Sequence, residues 1–289
     1  MVPDTPRAPR FDDTPRIAIV SAFAPEWVLI RDRMSDSRDI RHLNRDFTTG
    51  TLSGRPVVVF QSGVSMINAA LSSQAAISRF NLRGLVFSGV AGGADPDMGI
   101  GDIVIPDKWG QYLEMAFARA SGDGYRLPPF LHSDFPNFGM IHTLNLGTFE
   151  ALAGDAECRF WFPVDPAFRA AAERAGAGFR FARQDARGRR LTRAARIHTG
   201  GAGVSGSAFV DNAEVRDWAH RAFGACVLDM ETAAVAQVAD ENGVPFIAVR
   251  ALSDLAGGEA GANEFDIFMH VVGTTLADFV TALLAELPA

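Results

Sequence analysis

The stretch CVLDMETAAVAQVADENGVPFIAVRALSD, residues Cys226 to Asp254, decides the fold class. It opens with a short apolar run, continues in a helical pattern as far as Asn242, and after Gly243 ends in a second apolar run. Continuous apolar runs of this length are typical of strands that are covered on both faces in an α/β sheet. The stretch therefore predicts a strand, a helix and a second strand that ends at Asp254.

Two carboxylates follow the apolar runs of this unit. Glu231 comes shortly after the first run, and Asp254 directly follows the second, next to Ser253. As isolated residues, Glu231 would cap a helix and Asp254 would open a loop. In an open α/β sheet, however, ligands bind beyond the carboxyl ends of the strands. We therefore expect both side chains to lie at a ligand site.

The rest of the chain extends the α/β pattern. Apolar runs at residues 16–22 and 84–88 predict further buried strands, and residues 266–284 carry apolar positions at helical spacing. Glu26 lies in the first turn of the helix predicted after the first run, near Ala22. These features predict a single α/β domain over residues 16–289, with a central mixed, twisted sheet flanked by helices. Residues 1–15, rich in Pro and charge, are expected to be a flexible tail.

Residues 109–178 depart from the alternation of strands and helices. This segment is rich in Phe, Trp, Gly and Pro, and we interpret it as an insertion. Two interpretations stay open: a surface excursion or dimer interface packed by its own aromatic side chains, or a segment that caps a substrate pocket.

The composition narrows the function classes. The chain has 289 residues, 48% of them hydrophobic, and its net charge of −7 makes nucleic-acid binding unexpected. Charged or polar residues interrupt every apolar stretch that could span a bilayer, so no membrane association is expected either. Its two cysteines, Cys158 and Cys226, are expected to be free thiols in the cytoplasm. No histidine or cysteine spacing predicts a metal site, and no G-x-S-x-G motif indicates a serine hydrolase. Neither a metal nor a cofactor is expected.

Four segments of the chain are distinctive: IAIVSAFAPE (17–26), SGVSMINAA (62–70), SGVAGGADPDMGIGDIVIPD (88–107) and the stretch from Val227 to Asp254. They resemble the nucleoside phosphorylase/nucleosidase superfamily, and most closely its methylthioadenosine/S-adenosylhomocysteine nucleosidase branch. SGSAFV (205–210) and the last helix add to the match. The insertion, with its WFPVDP segment, also resembles the plant vegetative and bark storage proteins of the same superfamily.

The resemblance implies roles for matching residues. Glu26 matches the glutamate that takes a proton from the attacking water, and Asp254 the aspartate that bonds the purine N7 and helps protonate the leaving base. Glu231 matches the glutamate that binds the ribose hydroxyls. The remaining positions match residues that contact the base or the sugar, or flank the site: Met230, Phe209, Val210, Ser253, Gly92, Val90, Phe265 and Ala22. Val90 stands where that branch commonly has a serine, so water and phosphate stay open as the nucleophile.

The chemistry of the reaction is consistent with these residue types. Cleaving an N-glycosidic bond passes through an oxocarbenium-like state, which needs an acid at the leaving base and a base beside the nucleophile. We therefore expect a homodimeric purine nucleosidase that acts on adenosine-type nucleosides. The alternatives are a phosphorylase, against which the carboxylate of Glu26 argues electrostatically, and a storage-like or nucleoside-binding protein without activity.

Overall fold

The computed structural model describes residues 9–22, 24–145, 159–181, 193–257 and 265–288. The described helices are α1 (Ala24–Arg31), α2 (Met66–Arg79), α3 (Pro166–Ala177), α4 (Ala213–Phe223), α5 (Thr232–Glu241) and α6 (Phe265–Glu286). The described strands of the first half are β1 (Pro15–Ser21), β2 (Ser35–His42), β3 (Arg45–Leu52), β4 (Arg55–Gln61), β5 (Asn81–Gly93), β6 (Ile103–Ile105), β7 (Lys108–Gln111), β8 (Met115–Phe117), β9 (Arg119–Ser121), β10 (Gly124–Arg126) and β11 (Ile141–Thr143). Those that follow are β12 (Trp161–Pro163), β13 (Ile197–Thr199), β14 (Ala202–Ser205), β15 (Ala225–Asp229) and β16 (Phe246–Asp254).

A large mixed sheet organises the molecule, as the apolar runs predict. Within the described residues it contains twelve strands, with β4, β1, β5 and β16 running parallel at its centre. Their apolar side chains are fully buried on both faces, which is why these strands have nearly continuous apolar sequences. Helices α2 and α5 pack together on one face, while α1, α3 and α6 cover the other. The predicted fold class is confirmed.

The strand β15 differs from the simplest form of the predicted unit. It does not lie beside β16; it pairs antiparallel with the end of β5, through Val227 with Gly93 and Leu228 with Gly92. The partner of Asp254 in β16 is also Gly92. The two carboxylate-bearing strand ends therefore meet at the carboxyl end of β5, because both strands use that same end as a partner.

Parts of the segment 109–178, which is interpreted from the sequence as an insertion, join the main sheet. Its first residues belong to β7, which pairs with β14 in the main sheet, and β12 pairs with β7. Helix α3, which lies near the end of this segment, packs against α6. The stretch between β7 and residue 145 carries two small antiparallel pairs outside the main sheet, β9 with β10 and β8 with β11. Residues 146–158 lie outside the described part.

The last residues before β1 pack on the domain. Phe11 contacts the ring of Phe80, and the guanidinium of Arg79 lies 4.2 Å from the Phe11 ring centroid. The backbone N–H of Phe11 donates to the Arg79 carbonyl. Within the segment expected to be a tail, the described part from residue 9 onward thus has a defined place beside α2.

No helix in the described ranges combines the length and the hydropathy that crossing a bilayer requires.

Candidate active site

A cavity of about 350 Å³ lies where β1, β5, β15 and β16 end. Ten of the eleven predicted site residues line it: Glu26, Asp254, Glu231, Met230, Phe209, Val210, Ser253, Gly92, Val90 and Ala22. The eleventh, Phe265, is the first residue of α6, and its side chain lies outside the described residues. Other described lining residues are mostly apolar and small. The fold therefore brings the predicted residues to one place, whereas their roles stay predictions.

Glu26 is buried in the first turn of α1 and is held by two backbone amides. Its Oε2 accepts from the N–H of Ala22, 3.0 Å away, and its Oε1 accepts from the N–H of Val90, 2.7 Å away. The first amide comes from the end of β1 and the second from β5. Because both oxygens are anchored on different strands, the carboxyl group has a fixed orientation above the sheet edge.

Glu231 occupies the N-cap position of α5 but does not act as a cap. Its side chain makes no capping hydrogen bond; instead its Oε1 accepts from the N–H of Ser65, 2.8 Å away. Ser65 has a φ of 85°, an uncommon value for a residue with a side chain, and it precedes α2. The structural alternative of a helix-capping glutamate is therefore wrong, and the carboxyl group is directed into the cavity.

Burial and the charge of Asp229 raise the pKa of Glu231 to about 7. The guanidinium of Arg250 opposes this shift, with Nη2 lying 3.6 Å from Glu231 Oε2. Arg250 is bound more closely by Asp229, whose Oδ2 accepts from its Nε at 2.8 Å and also from its Nη2. Because Asp229 already largely neutralises Arg250, this arginine offsets the raised pKa of Glu231 only in part.

Asp229 and Arg250 form a buried network that the sequence reasoning missed. Ser205 and Thr232 donate their hydroxyls to Asp229, and the amides of Glu231 and Thr232 also donate to it. The sequence did contain a signal. Arg250 interrupts the apolar run IAVRAL, and a cation in a buried strand requires a buried anion as partner.

Arg250 and Glu26 converge on one point beside Gly89. A Cβ atom added to Gly89 would lie 2.1 Å from Arg250 Nη1 and 2.9 Å from Glu26 Oε1. Arg250 is fully buried, and its Nη1 has no hydrogen-bond partner among the described residues. The absence of a side chain at Gly89 therefore lets the guanidinium of Arg250 and the carboxyl group of Glu26 approach the backbone of β5 closely.

Asp254 is buried at the end of β16 and has a different environment. Burial raises its pKa, with a smaller contribution in the same direction from the charge of Asp211. Ser253 Oγ, 3.0 Å from Oδ2, and the N–H of Ala256, 2.8 Å from Oδ1, donate to the carboxylate and oppose the shift. A carboxyl group with a raised pKa can carry the proton that a leaving group requires.

The cavity lining also includes a surface for a flat ring. Phe209 lies in the loop after β14 and is 59% exposed at the cavity, beside Val210. Met230 lines the cavity between the two acids of the LDME sequence. Gly92 leaves room near Asp254, because a Cβ there would lie 3.2 Å from Asp254 Oδ1 and 3.1 Å from the Cβ of Ala256.

The arrangement can perform acid–base chemistry on a small ligand. The anchors of Glu26 and Asp254 on β5, Val90 and Gly92, are two residues apart, which is roughly 6–7 Å along a strand. Four acids and no basic side chain belong to the described lining. In the described ranges, no three His, Cys, Asp or Glu residues are grouped so that they could hold a metal ion.

The fold and this site define a class: a single-domain α/β protein with buried acid–base groups beyond the carboxyl ends of its central strands. The chain belongs to the phosphorylase superfamily, whose family profile matches residues 16–285.

Individual relatives agree with this assignment. The chain is 29% identical over 272 residues to the 5'-methylthioadenosine/S-adenosylhomocysteine nucleosidase of Mycobacterium bovis, covering 94% of this chain and 96% of the relative. It is 28% identical over 274 residues to the nucleosidase of the same name from Staphylococcus aureus, covering 94% and 100%.

Solved structures share the fold. The Neisseria meningitidis 5'-methylthioadenosine/S-adenosylhomocysteine nucleosidase in complex with methylthio-immucillin-A superposes with a TM-score of 0.71 at 23% identity, covering 94% of this chain and 99% of the other. Helicobacter pylori futalosine hydrolase gives a TM-score of 0.69 at 22% identity, covering 95% and 99%.

Proposed function

We propose that this protein hydrolyses the N-glycosidic bond of an adenosine-type nucleoside, such as methylthioadenosine or S-adenosylhomocysteine, to the free base and the sugar. The observation that carries the proposal is the placement of Glu26 and Asp254 in one largely apolar cavity, on anchors two residues apart along β5. The names of the bacterial relatives support the substrate class.

In the proposed mechanism, different acidic side chains act on the base and on the sugar, the two groups that the scissile bond joins. Asp254 donates a proton or hydrogen bond to N7 of the purine, and Phe209 stacks on the base. Glu231 accepts hydrogen bonds from the ribose hydroxyls on the lone pairs that Ser65 and Arg250 leave available. This contact orients the sugar and becomes stronger as the ring becomes cationic.

Glu26 is the base that activates the water. Its carboxyl group lines the cavity and is held by the amides of Ala22 and Val90, so it can take a proton from a water molecule bound there. Proton transfer by a positioned side chain contributes about 10²–10⁴-fold in rate.

The same electrostatics argue against phosphorolysis. A phosphate dianion in the cavity would lie close to Glu26, and the described lining offers no basic side chain to neutralise it. At short range such like-charge repulsion amounts to about 4 kcal/mol per pair near a protein surface. Water, which has no charge, avoids this penalty.

The test is incubation of the purified protein with methylthioadenosine, S-adenosylhomocysteine, adenosine and inosine, with and without inorganic phosphate. Chromatography separates the nucleoside, the free base and the sugar products. We expect free base without phosphate, with Asp254→Asn as the inactive control. Release that depends on phosphate would establish the phosphorylase alternative. Saturable binding without turnover of any nucleoside would establish the storage-like or binding alternative.

The protein also acts as a homodimer, with the exposed apolar face of α2 at the interface. On this face Ile67 is 71% and Leu71 is 57% exposed. Beside it lies a groove of about 730 Å³ between α2, α5 and the segment after β7. Contiguous apolar patches of this kind mark interaction sites. Their position next to Val64, which lines the active-site cavity, would bring the interface to the mouth of the site.

Sedimentation equilibrium tests this interface. Ile67→Asp should shift the protein to a monomer, whereas Leu43→Asp, at the equally exposed turn between β2 and β3, should not. A monomeric wild type, or an Ile67→Asp variant that stays dimeric, would contradict it.

A further inference from the structure

Asp254 depends on a short loop whose backbone has an unusual shape. After Asp254 the chain passes through Ala256, with a φ of 49°, and Gly257, with a φ of 92°. A left-handed backbone is unfavourable for alanine and persists only where the surroundings impose it. This shape is functional for the carboxylate, because it turns the N–H of Ala256 toward Asp254 Oδ1, 2.8 Å away.

The surroundings that impose this shape come from the start of α4. A Cβ added to Gly257 would lie 2.5 Å from the backbone nitrogen of Asn212, so the loop backbone rests directly on the residues that begin this helix. One turn further along, Arg216 Nη1 donates to the carbonyl of Leu255 at 3.1 Å. Its other guanidinium nitrogens contact Asp217, which fixes the direction of the side chain.

Helix α4 is itself anchored by the aromatic residues of the segment that follows β7. Trp218 Nε1 donates to the carbonyl of Pro136 at 2.8 Å, and Phe138 packs on the Trp218 ring. At the other end of the helix, the rings of Phe223 and Phe160 stack with centroids 5.5 Å apart. Ala256 is buried in this same cluster. The contacts therefore run without a break from the aromatic segment through α4 to the loop that carries Asp254.

We propose that Arg216 is a positioning residue for Asp254, and that α4, fixed by the aromatic segment, holds the 254–257 loop in the conformation that orients this acid. The inference rests on the proposed function, since it concerns how the acid of that reaction is oriented. It also gives the aromatic segment a role that neither of its two earlier interpretations included.

The proposal predicts that Arg216 affects the orientation of Asp254 and not the binding of the nucleoside. Arg216 does not line the cavity, so its removal leaves the contacts of Glu231 and Phe209 with a nucleoside intact. Removing Arg216 instead changes the 254–257 loop. Releasing the Leu255 carbonyl lets water reach Asp254 and weakens the bond from Ala256. A misplacement of about 1 Å of a reacting group can reduce turnover by roughly 10²-fold.

The pH dependence gives a readout that a purely structural role would not change. The groups that act on Asp254 are Ser253 on β16, the amide of Ala256 in the loop and the charge of Asp211 before α4, while β5 offers only Gly92. Burial is the largest influence on the pKa of Asp254 and raises it. A loosened loop admits water, and the pKa should then fall toward that of an exposed carboxyl group.

The experiment compares Arg216→Ala and Arg216→Lys with Arg221→Ala, which removes an exposed arginine from the same helix. Each variant is assayed with methylthioadenosine for kcat, KM and the pH profile of kcat. Hydrogen exchange at residues 255–257, followed by mass spectrometry, reports the loop directly and needs no activity.

For Arg216→Ala we expect kcat to fall about 10- to 100-fold with KM within about threefold, and the alkaline limb of the profile to move to lower pH. Exchange at 255–257 should accelerate, Arg216→Lys should recover part of kcat, and Arg221→Ala should match the wild type. Unchanged kcat, an unchanged profile or unchanged exchange in Arg216→Ala would overturn the proposal. Equal losses in Arg221→Ala would also overturn it. If the wild type turns over no nucleoside, the proposed function fails, and exchange alone decides whether Arg216 clamps the loop.

Discussion

Replacing Glu231 by Gln should make the folded protein more stable at alkaline pH while removing most of its activity. Glu231 is 5% exposed, and burial together with the charge of Asp229 raises its pKa from the usual 4.5 to about 7. The folded state therefore disfavours the ionised form. Above pH 7 the wild type must keep this charge buried, whereas the unfolded chain exposes it to water. An amide of the same shape avoids the penalty and can still accept from the Ser65 amide.

The magnitude follows from the pKa. One pKa unit corresponds to about 1.4 kcal/mol, so the difference between 4.5 and about 7 gives an upper value of about 3 kcal/mol for the destabilisation at high pH. We expect Glu231→Gln to raise the free energy of unfolding by about 1–3 kcal/mol at pH 8. The sign follows from proton binding. Between pH 4.5 and 7 the folded state holds the proton more tightly, so wild-type stability falls as pH rises through this window, and that of the amide variant does not.

Urea unfolding at pH 8 and pH 5 measures the effect. The advantage of Glu231→Gln should shrink to less than about 1 kcal/mol at pH 5, where the wild-type side chain is largely protonated in the fold. Glu241→Gln, an exposed site at the other end of α5, serves as the matched control and should change stability by less than about 0.5 kcal/mol at either pH. Destabilisation by Glu231→Gln at pH 8, or an equal gain at both pH values, would refute the reasoning.

Three substitutions test the reacting groups. Asp254→Asn should lower kcat by about 10²-fold or more with KM nearly unchanged, because an amide can bond the base but cannot protonate it; weaker binding at normal kcat would contradict this. Glu26→Gln should reduce hydrolysis by about 10²-fold or more and remove the acidic limb of the kcat/KM profile, and near-normal hydrolysis or faster phosphorolysis would disprove the role of the base. Gly89→Ala should reduce kcat by about 10²-fold because the added methyl group would collide with the Arg250 guanidinium and displace the carboxyl group of Glu26, and retained turnover would contradict this.

Much of the fold was predictable because buried strands and helices have recognisable apolar patterns in the sequence. The runs that became β1, β5 and β16 are apolar on both faces, and the apolar stripe of α6 keeps helical spacing. The edge strand β2 has no such apolar pattern. Its sequence SDSRDIRH is almost wholly exposed and charged, as an edge strand that avoids further pairing is expected to be. The antiparallel pairing of β15 was not predictable either, since strand direction does not alter an apolar pattern.

The site was predictable in its residues but not in its connections. A resemblance on short motifs indicated Glu26, Glu231 and Asp254, and the fold brings them together. The amide that holds Glu231 belongs to Ser65, 166 residues away, and depends on a backbone angle that the sequence does not specify. Likewise, the contact between Arg216 and Leu255 exists only because α4 packs beneath the loop. Such contacts arise from tertiary packing and have no local signature.

The negative charge of the cavity lowers the stability of the folded protein and at the same time favours the proposed reaction. Asp229 largely neutralises Arg250, so the carboxyl groups of Glu26 and Glu231 line the proposed sugar position with little compensating positive charge. In the empty site, burial raises the pKa of Glu231, the charge of Asp229 and, less strongly, that of Glu26 raise it further, and the buried charge lowers stability at alkaline pH. A sugar that becomes cationic supplies the missing positive charge, so the repulsion is relieved in the transition state and not in the ground state. Differential stabilisation of this kind accelerates a reaction. A phosphate dianion would increase the same repulsion, and the arrangement therefore favours water as the nucleophile.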